Sequence, residues 1–104
     1  MTVPQIVPNV TLNSGTTIPQ LGYGVWQVPS DEAEAAVSTA LQVGYRSIDT
    51  AKVYENEEGT GRAIAQSGVP RGDVFLTTKL WNADQGYDSA LRAFDASLER
   101  LGTD

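Results

Sequence analysis

Apolar residues along this chain recur in a two-part pattern: a short continuous run, then a longer stretch with apolar positions at helical spacing. Before the pattern begins, residues 10–12 and 16–18 are β-prone and flank Asn13-Ser14-Gly15, a good reversal sequence, which predicts a small N-terminal hairpin. The first unit has a strand at 20–24 and a loop ending in Pro29-Ser30. Ser30 is placed to cap a helix that carries Asp31 and Glu32 in its first turn and Val37, Ala40 and Leu41 on one face, with Gly44 at its end. The second has a strand at 45–49 and a helix over 56–67, stopped by Gly68 and Pro70. Gly59 and Gly61 weaken that helix by about 1 kcal/mol each relative to alanine, so neighbouring elements must hold it. The third has the clearest strand, at 74–80, followed by a helix with Leu91, Phe94, Leu98 and Leu101 on one face and Gly102 to close it.

Strands alternating with helices at this period predict an α/β fold with a parallel sheet and crossover helices. Three parallel strands alone leave two open edges and two faces that three short helices cover poorly. The pattern therefore presupposes more protein, and the lone chain is expected to be poorly soluble because the apolar strand at 74–80 forms an unprotected edge.

Composition narrows the chemistry. With 104 residues the chain makes one domain, 1–104, and with neither cysteine nor histidine it holds no disulfide, thiol nucleophile, Cys/His zinc site or Ser-His-Asp triad. No metal is expected. Thirteen acidic against seven basic side chains give a net charge of -6, and the cations are scattered from Arg46 to Arg100, which disfavours nucleic acid as a partner. The sequence before Arg46 carries no basic residue, as a secretory leader would, and no apolar run is long enough to span a bilayer; a cytoplasmic protein is expected.

In parallel α/β folds ligands bind beyond the carboxyl ends of the strands. Asp49 ends the second predicted strand, Tyr54 lies five residues on in the following loop, and Lys79 closes the third strand just before Trp81-Asn82. An acid, a phenol and an amine converging in a partly buried place form a proton-transfer device. The phenol's ordinary pKa near 10 is too high for transfer at neutral pH, a nearby ammonium favours the phenolate, and a carboxylate keeps the ammonium charged and oriented. Each residue alone has a plainer reading: Asp49 as the cap of an Asx-turn, Tyr54 as a half-buried loop aromatic, Lys79 as a solvated strand end. Their joint placement at neighbouring strand ends favours the device.

Gly44-Tyr45-Arg46-Ser47-Ile48-Asp49-Thr50-Ala51, then Tyr54, Asn56-Glu57-Glu58 and Gly61, closely resembles the first signature segment of the aldo-keto reductases. Leu21-Gly22-Tyr23-Gly24-Val25-Trp26 and Thr77-Thr78-Lys79-Leu80-Trp81 resemble that family's first and third strand ends, so the similarity covers nearly the whole chain. The resemblance implies the N-terminal part of a (β/α)8 barrel, here the hairpin and three β/α units of a partial domain, with a nicotinamide cofactor, NADPH by family habit and NADH as the alternative. It implies a small-molecule carbonyl substrate, Tyr54 as proton donor, Lys79 as the group that lowers its pKa, and Asp49 as the partner of Lys79. The backbone of Tyr23, Gly24 and Val25, with Asp49, is expected near the nicotinamide. Trp26, Val53 and Trp81 match pocket-lining positions, although plain core packing also suits two tryptophans.

Two departures stand out. Thr60 occupies a position that the signature usually gives to an aliphatic residue, and the family's catalytic histidine and its adenosine-phosphate loops fall beyond Asp104. A complete barrel takes about 250 residues, so the chain is expected to be inactive alone, needing the rest of a longer protein or a complementing chain. Rival readings are weaker. Gly22-Tyr23-Gly24 lacks the third glycine of a dinucleotide fingerprint, Gln27 standing there, and a phosphate-accepting receiver-like domain needs carboxylates after the first strand, where none precedes Asp31. A non-catalytic module that binds a partner through open sheet edges is the remaining alternative.

Overall fold

The computed structural model describes residues 7–104; the first six, which bear only on the question of a leader peptide, lie outside it. The hairpin forms from β1 (Asn9–Thr11) and β2 (Thr17–Pro19), antiparallel with Val10 opposite Ile18, and Gly15 turns the chain at a φ of 89°. Then come β3 (Tyr23–Gly24), α1 (Ser30–Gln42), β4 (Ser47–Asp49), α2 (Glu57–Gln66), β5 (Phe75–Thr77) and α3 (Tyr87–Leu101). The last three strands make one parallel sheet in the order β3-β4-β5. Type, order and direction of these elements are those that the apolar pattern predicts.

The strands are shorter than the apolar runs. Residues 20–22 lie outside the ladder, and after Thr77 the chain keeps only one longer bond to its neighbour, Lys52 N–H to the Lys79 carbonyl at 3.4 Å. Among the described residues β5 has a strand on one side only. Pro29 rather than Ser30 holds the N-cap of α1, and no side chain caps that end; Asp31 and Glu32 still set negative charge against the helix's positive terminus.

The core lies between the sheet and the first two helices, built from Val25, Val37, Leu41, Ile48, Ile64 and Val74 with small alanines between them. The glycines that weaken α2 are what let it pack: a Cβ on Gly59 would lie 2.3 Å from the Ser30 carbonyl oxygen, and one on Gly61 2.3 Å from that of Leu101. Thus α2 sits hard against the start of α1 and the end of α3. Thr60, between those glycines, is fully buried, and its hydroxyl has no hydrogen-bond partner. Replacing it with valine keeps the shape and removes the stranded polar group, so Thr60→Val is expected to stabilise the protein by about 1–2 kcal/mol, read from the denaturant midpoint. A loss of stability would mean that the hydroxyl is satisfied in solution.

Of the predicted apolar face of α3, Leu101 is buried, but Leu91 and Phe94 remain more than half exposed. The helix therefore docks by its C-terminal end, and a cleft of about 500 Å³ opens between it and the Leu76, Leu80 and Trp81 side of β5. No helix among the described residues is long and apolar enough to cross a membrane.

Candidate active site

Parallel pairing fixes which residues meet at the carboxyl edge of the sheet. Gly24 is level with Asp49, and Asp49 with Thr77, so the chain leaves all three strands at one height. The Val25 N–H continues the ladder to the Asp49 carbonyl at 3.2 Å, and the Thr50 N–H to that of Thr77 at 2.8 Å. Two residues past Thr77, on the same side of the pleat, Lys79 reaches back over β4. After Asp49 the chain enters a single 3-10 turn, Lys52–Tyr54, which brings the phenol under the same ammonium.

Lys79 is the centre of the site. Its ammonium donates to a carboxylate oxygen of Asp49, to the Thr50 carbonyl at 3.0 Å and to the Tyr54 phenol oxygen at 3.3 Å, and it lies 5.0 Å from the centre of the Tyr54 ring. Desolvation pulls its pKa down, but the hydrogen bonds and charges of Asp49 and Tyr54 outweigh it, and the net shift is upward from 10.5. The ammonium therefore stays charged across the neutral range. Stability from this pairing is present below pH 10.5 and is lost as pH rises through the higher folded value.

Asp49, Tyr54 and Lys79 thus come together as the sequence leads one to expect, though in a more open place. The Lys79 and Asp49 side chains are 46% and 48% exposed, because among the described residues nothing covers the outer side of β5. Lys52 also pairs with Asp84, linking the loops that follow β4 and β5.

Behind this edge lies a buried polar layer whose role the sequence did not reveal. Asn56 is fully buried between Val25, Val28 and Thr50. Glu57 is buried too; it accepts from the Thr78 hydroxyl at 2.6 Å and from Arg100 at 2.8 Å, so it ties the residue next to Lys79 to the end of α3. A carboxylate at the start of a helix that, with Gly59 and Gly61, must be held by its neighbours was the available signal.

Trp26, Val53 and Trp81 are 68%, 47% and 38% exposed, so none of them packs into the core that the described residues form. All three lie on segments that leave the carboxyl edge. The Val25 side chain, by contrast, belongs to the core, and the Tyr23 ring packs edge-on against Tyr45 with centroids 5.7 Å apart. The Val25 backbone is bonded too, its N–H to the Asp49 carbonyl and its carbonyl to the Val28 N–H and the Asn56 amide. Gly24 has open space where a Cβ would stand, so a flat ring can rest against the backbone beside Asp49, and these residues fit a nicotinamide. No three acidic, histidine or cysteine residues among those described are grouped to hold a metal ion.

Residues 14–104 match the model of the aldo/keto reductase family. An aldo-keto reductase from Mycolicibacterium smegmatis is 66% identical over 97 residues, which are 93% of this chain and 35% of that protein. The crystal structure of an aldo/keto reductase from Brucella melitensis superposes with a TM-score of 0.93 at 64% identity, covering 99% of this chain and 39% of that one. A Bombyx mori aldo-keto reductase, solved in complex with NADP, gives 0.90 at 41% identity and covers 94% and 35%. The chain spans about a third of the length of these relatives.

Proposed function

Because the chain belongs to the aldo/keto reductase family and has the fold of the N-terminal portion of its (β/α)8 barrel, we propose that it contributes the proton-transfer half of a reductase that converts aldehydes or ketones to alcohols. We take NADPH as the cofactor, with NADH as the alternative, and residues 1–104 as part of one such domain. The observation that carries this reading is the single ammonium of Lys79 shared by Asp49, Thr50 and Tyr54 at the carboxyl edge of the sheet.

When bound, the reduced nicotinamide supplies a hydride to the carbonyl carbon. The residues of this chain supply a ledge, orientation and the proton. The backbone at Tyr23, Gly24 and Val25, with the Asp49 carboxylate, offers a flat, polar-edged ledge for the nicotinamide. Since Lys79 donates to the phenol oxygen, the phenolic hydrogen of Tyr54 is free to point at the substrate oxygen, which is becoming an alkoxide. It passes to that oxygen and leaves a phenolate, which the Lys79 ammonium stabilises by charge. Asp49 and the Thr50 carbonyl hold the ammonium in place, and a solvent proton restores the phenol. Trp26, Val53 and Trp81 supply the apolar, partly exposed walls against which the substrate is held.

The proposal is tested by following NADPH oxidation by the full-length protein with a panel of aldehydes and ketones; no consumption with any of them would contradict it. Lys79→Met is expected to lower kcat/KM by roughly a hundredfold, because it removes the charge that stabilises the phenolate. A variant with the wild-type rate and pH profile would take Lys79 out of the mechanism.

A further inference from the structure

Asn56 stands at the N-cap of α2, where an asparagine side chain ordinarily accepts a hydrogen bond from the first turn of its own helix, yet here it makes no cap bond. Its polar atoms are used elsewhere. The amide nitrogen donates to the carbonyls of Val25 at 2.8 Å and Val28 at 2.9 Å, and the amide oxygen accepts from the Thr50 hydroxyl at 2.6 Å. Both bridged segments belong to the site: Thr50 also gives its carbonyl to Lys79, and the 25–28 segment carries Trp26.

That segment is strained. The Val28 N–H closes a tight turn onto the Val25 carbonyl at 3.1 Å, and inside the turn Gln27 has a φ of 65°. This left-handed region suits glycine and, less often, asparagine or aspartate; glutamine, whose amide is one methylene longer, is uncommon there and is held by its surroundings. Glu55, between Tyr54 and Asn56, is held at a φ of 58°. Left-handed non-glycine residues thus stand inside the bridged turn and immediately before Asn56 itself.

We infer that Asn56 is a positioning residue, a latch that ties the strained 25–28 turn, with Trp26 on it, to the Thr50–Tyr54 segment. It thereby fixes the wall that faces the substrate relative to the proton donor. The inference rests on the proposed carbonyl reduction. Asn56 touches neither substrate nor cofactor; it acts through the turn and through Thr50.

The test uses the full-length protein with Asn56→Ala, with Thr50→Val as a milder variant should the first fail to fold, each alone and combined with Gln27→Gly. Glycine takes the left-handed conformation without strain, so the turn then closes through its own Val25–Val28 bond. Loss of the latch is expected to lower kcat/KM at least about tenfold, mostly through KM, since a misplacement of about 1 Å can cost roughly a hundredfold. Gln27→Gly should restore much of that loss without an equal rise in melting temperature. In a background where Trp26 is the sole tryptophan, Trp81 and any others in the full-length protein being replaced by phenylalanine, its emission should shift on loss of the latch and return with Gln27→Gly. Wild-type kcat/KM in the latch variants, or a loss that Gln27→Gly does not restore, overturns the inference. If the unaltered protein reduces no carbonyl, the functional reading fails instead, and the Trp26 emission series still decides the latch, an unmoved emission overturning it.

Discussion

Tyr54→Phe in the full-length protein is expected to lower kcat for carbonyl reduction by about 10²–10⁴-fold, the range that one positioned proton-transfer group supplies, with NADPH binding nearly unchanged. The substitution deletes one oxygen. That oxygen is the only phenolic one that Lys79 reaches among the described residues, at 3.3 Å. The ring, which packs beside the core cluster, stays in place, so the fold should not change. The ledge at Gly24 and the Asp49 carboxylate are untouched, which is why binding and turnover should separate. Turnover close to wild type would remove Tyr54 from the mechanism, whereas parallel loss of NADPH binding would assign it to the cofactor instead.

The largest effect on stability is expected from Arg100→Met, at about 3 kcal/mol. Glu57 is 2% exposed, and Arg100 and the Thr78 hydroxyl are its side-chain hydrogen-bond partners. Methionine keeps much of the length of Arg100 but leaves a buried carboxylate without its counter-charge. By contrast, Arg62 and Glu34 pair on the surface, so Arg62→Met should cost less than about 1 kcal/mol. Denaturant unfolding of both variants separates the two cases, and equal effects would mean that Glu57 is solvated in solution. Thr78 adjoins Lys79, so some loss of activity should accompany the loss of stability.

The order and direction of the parallel strands were legible because each apolar run is followed by helical spacing and a glycine stop, as at Leu98, Leu101 and Gly102. The catalytic candidates were legible because a parallel sheet delivers its strand ends to one edge, so Asp49 and Lys79 could be paired from position alone. Ser30 misled: serine is a good cap, but Pro29 ahead of it fixes the extended backbone that begins the helix. The face Leu91–Phe94 reads as core in the sequence, yet no described element covers it, since periodicity tells which side is apolar and not what lies opposite. The polar layer of buried Asn56 and Glu57 with the partly buried Arg100 was hardest to see. Its members are polar, and only the tertiary packing that Gly59 and Gly61 allow brings Arg100, 43 residues on from Glu57, against it.

The most direct measurement is the fate of a label. The full-length protein, given an aldehyde and NADPH deuterated at the transferring position of the nicotinamide, should yield a primary alcohol with one deuterium on the carbinol carbon and an ordinary exchangeable hydrogen on oxygen, and the product should nearly vanish with Tyr54→Phe. An alcohol without deuterium on carbon, or full product from the Tyr54 variant, would contradict the account.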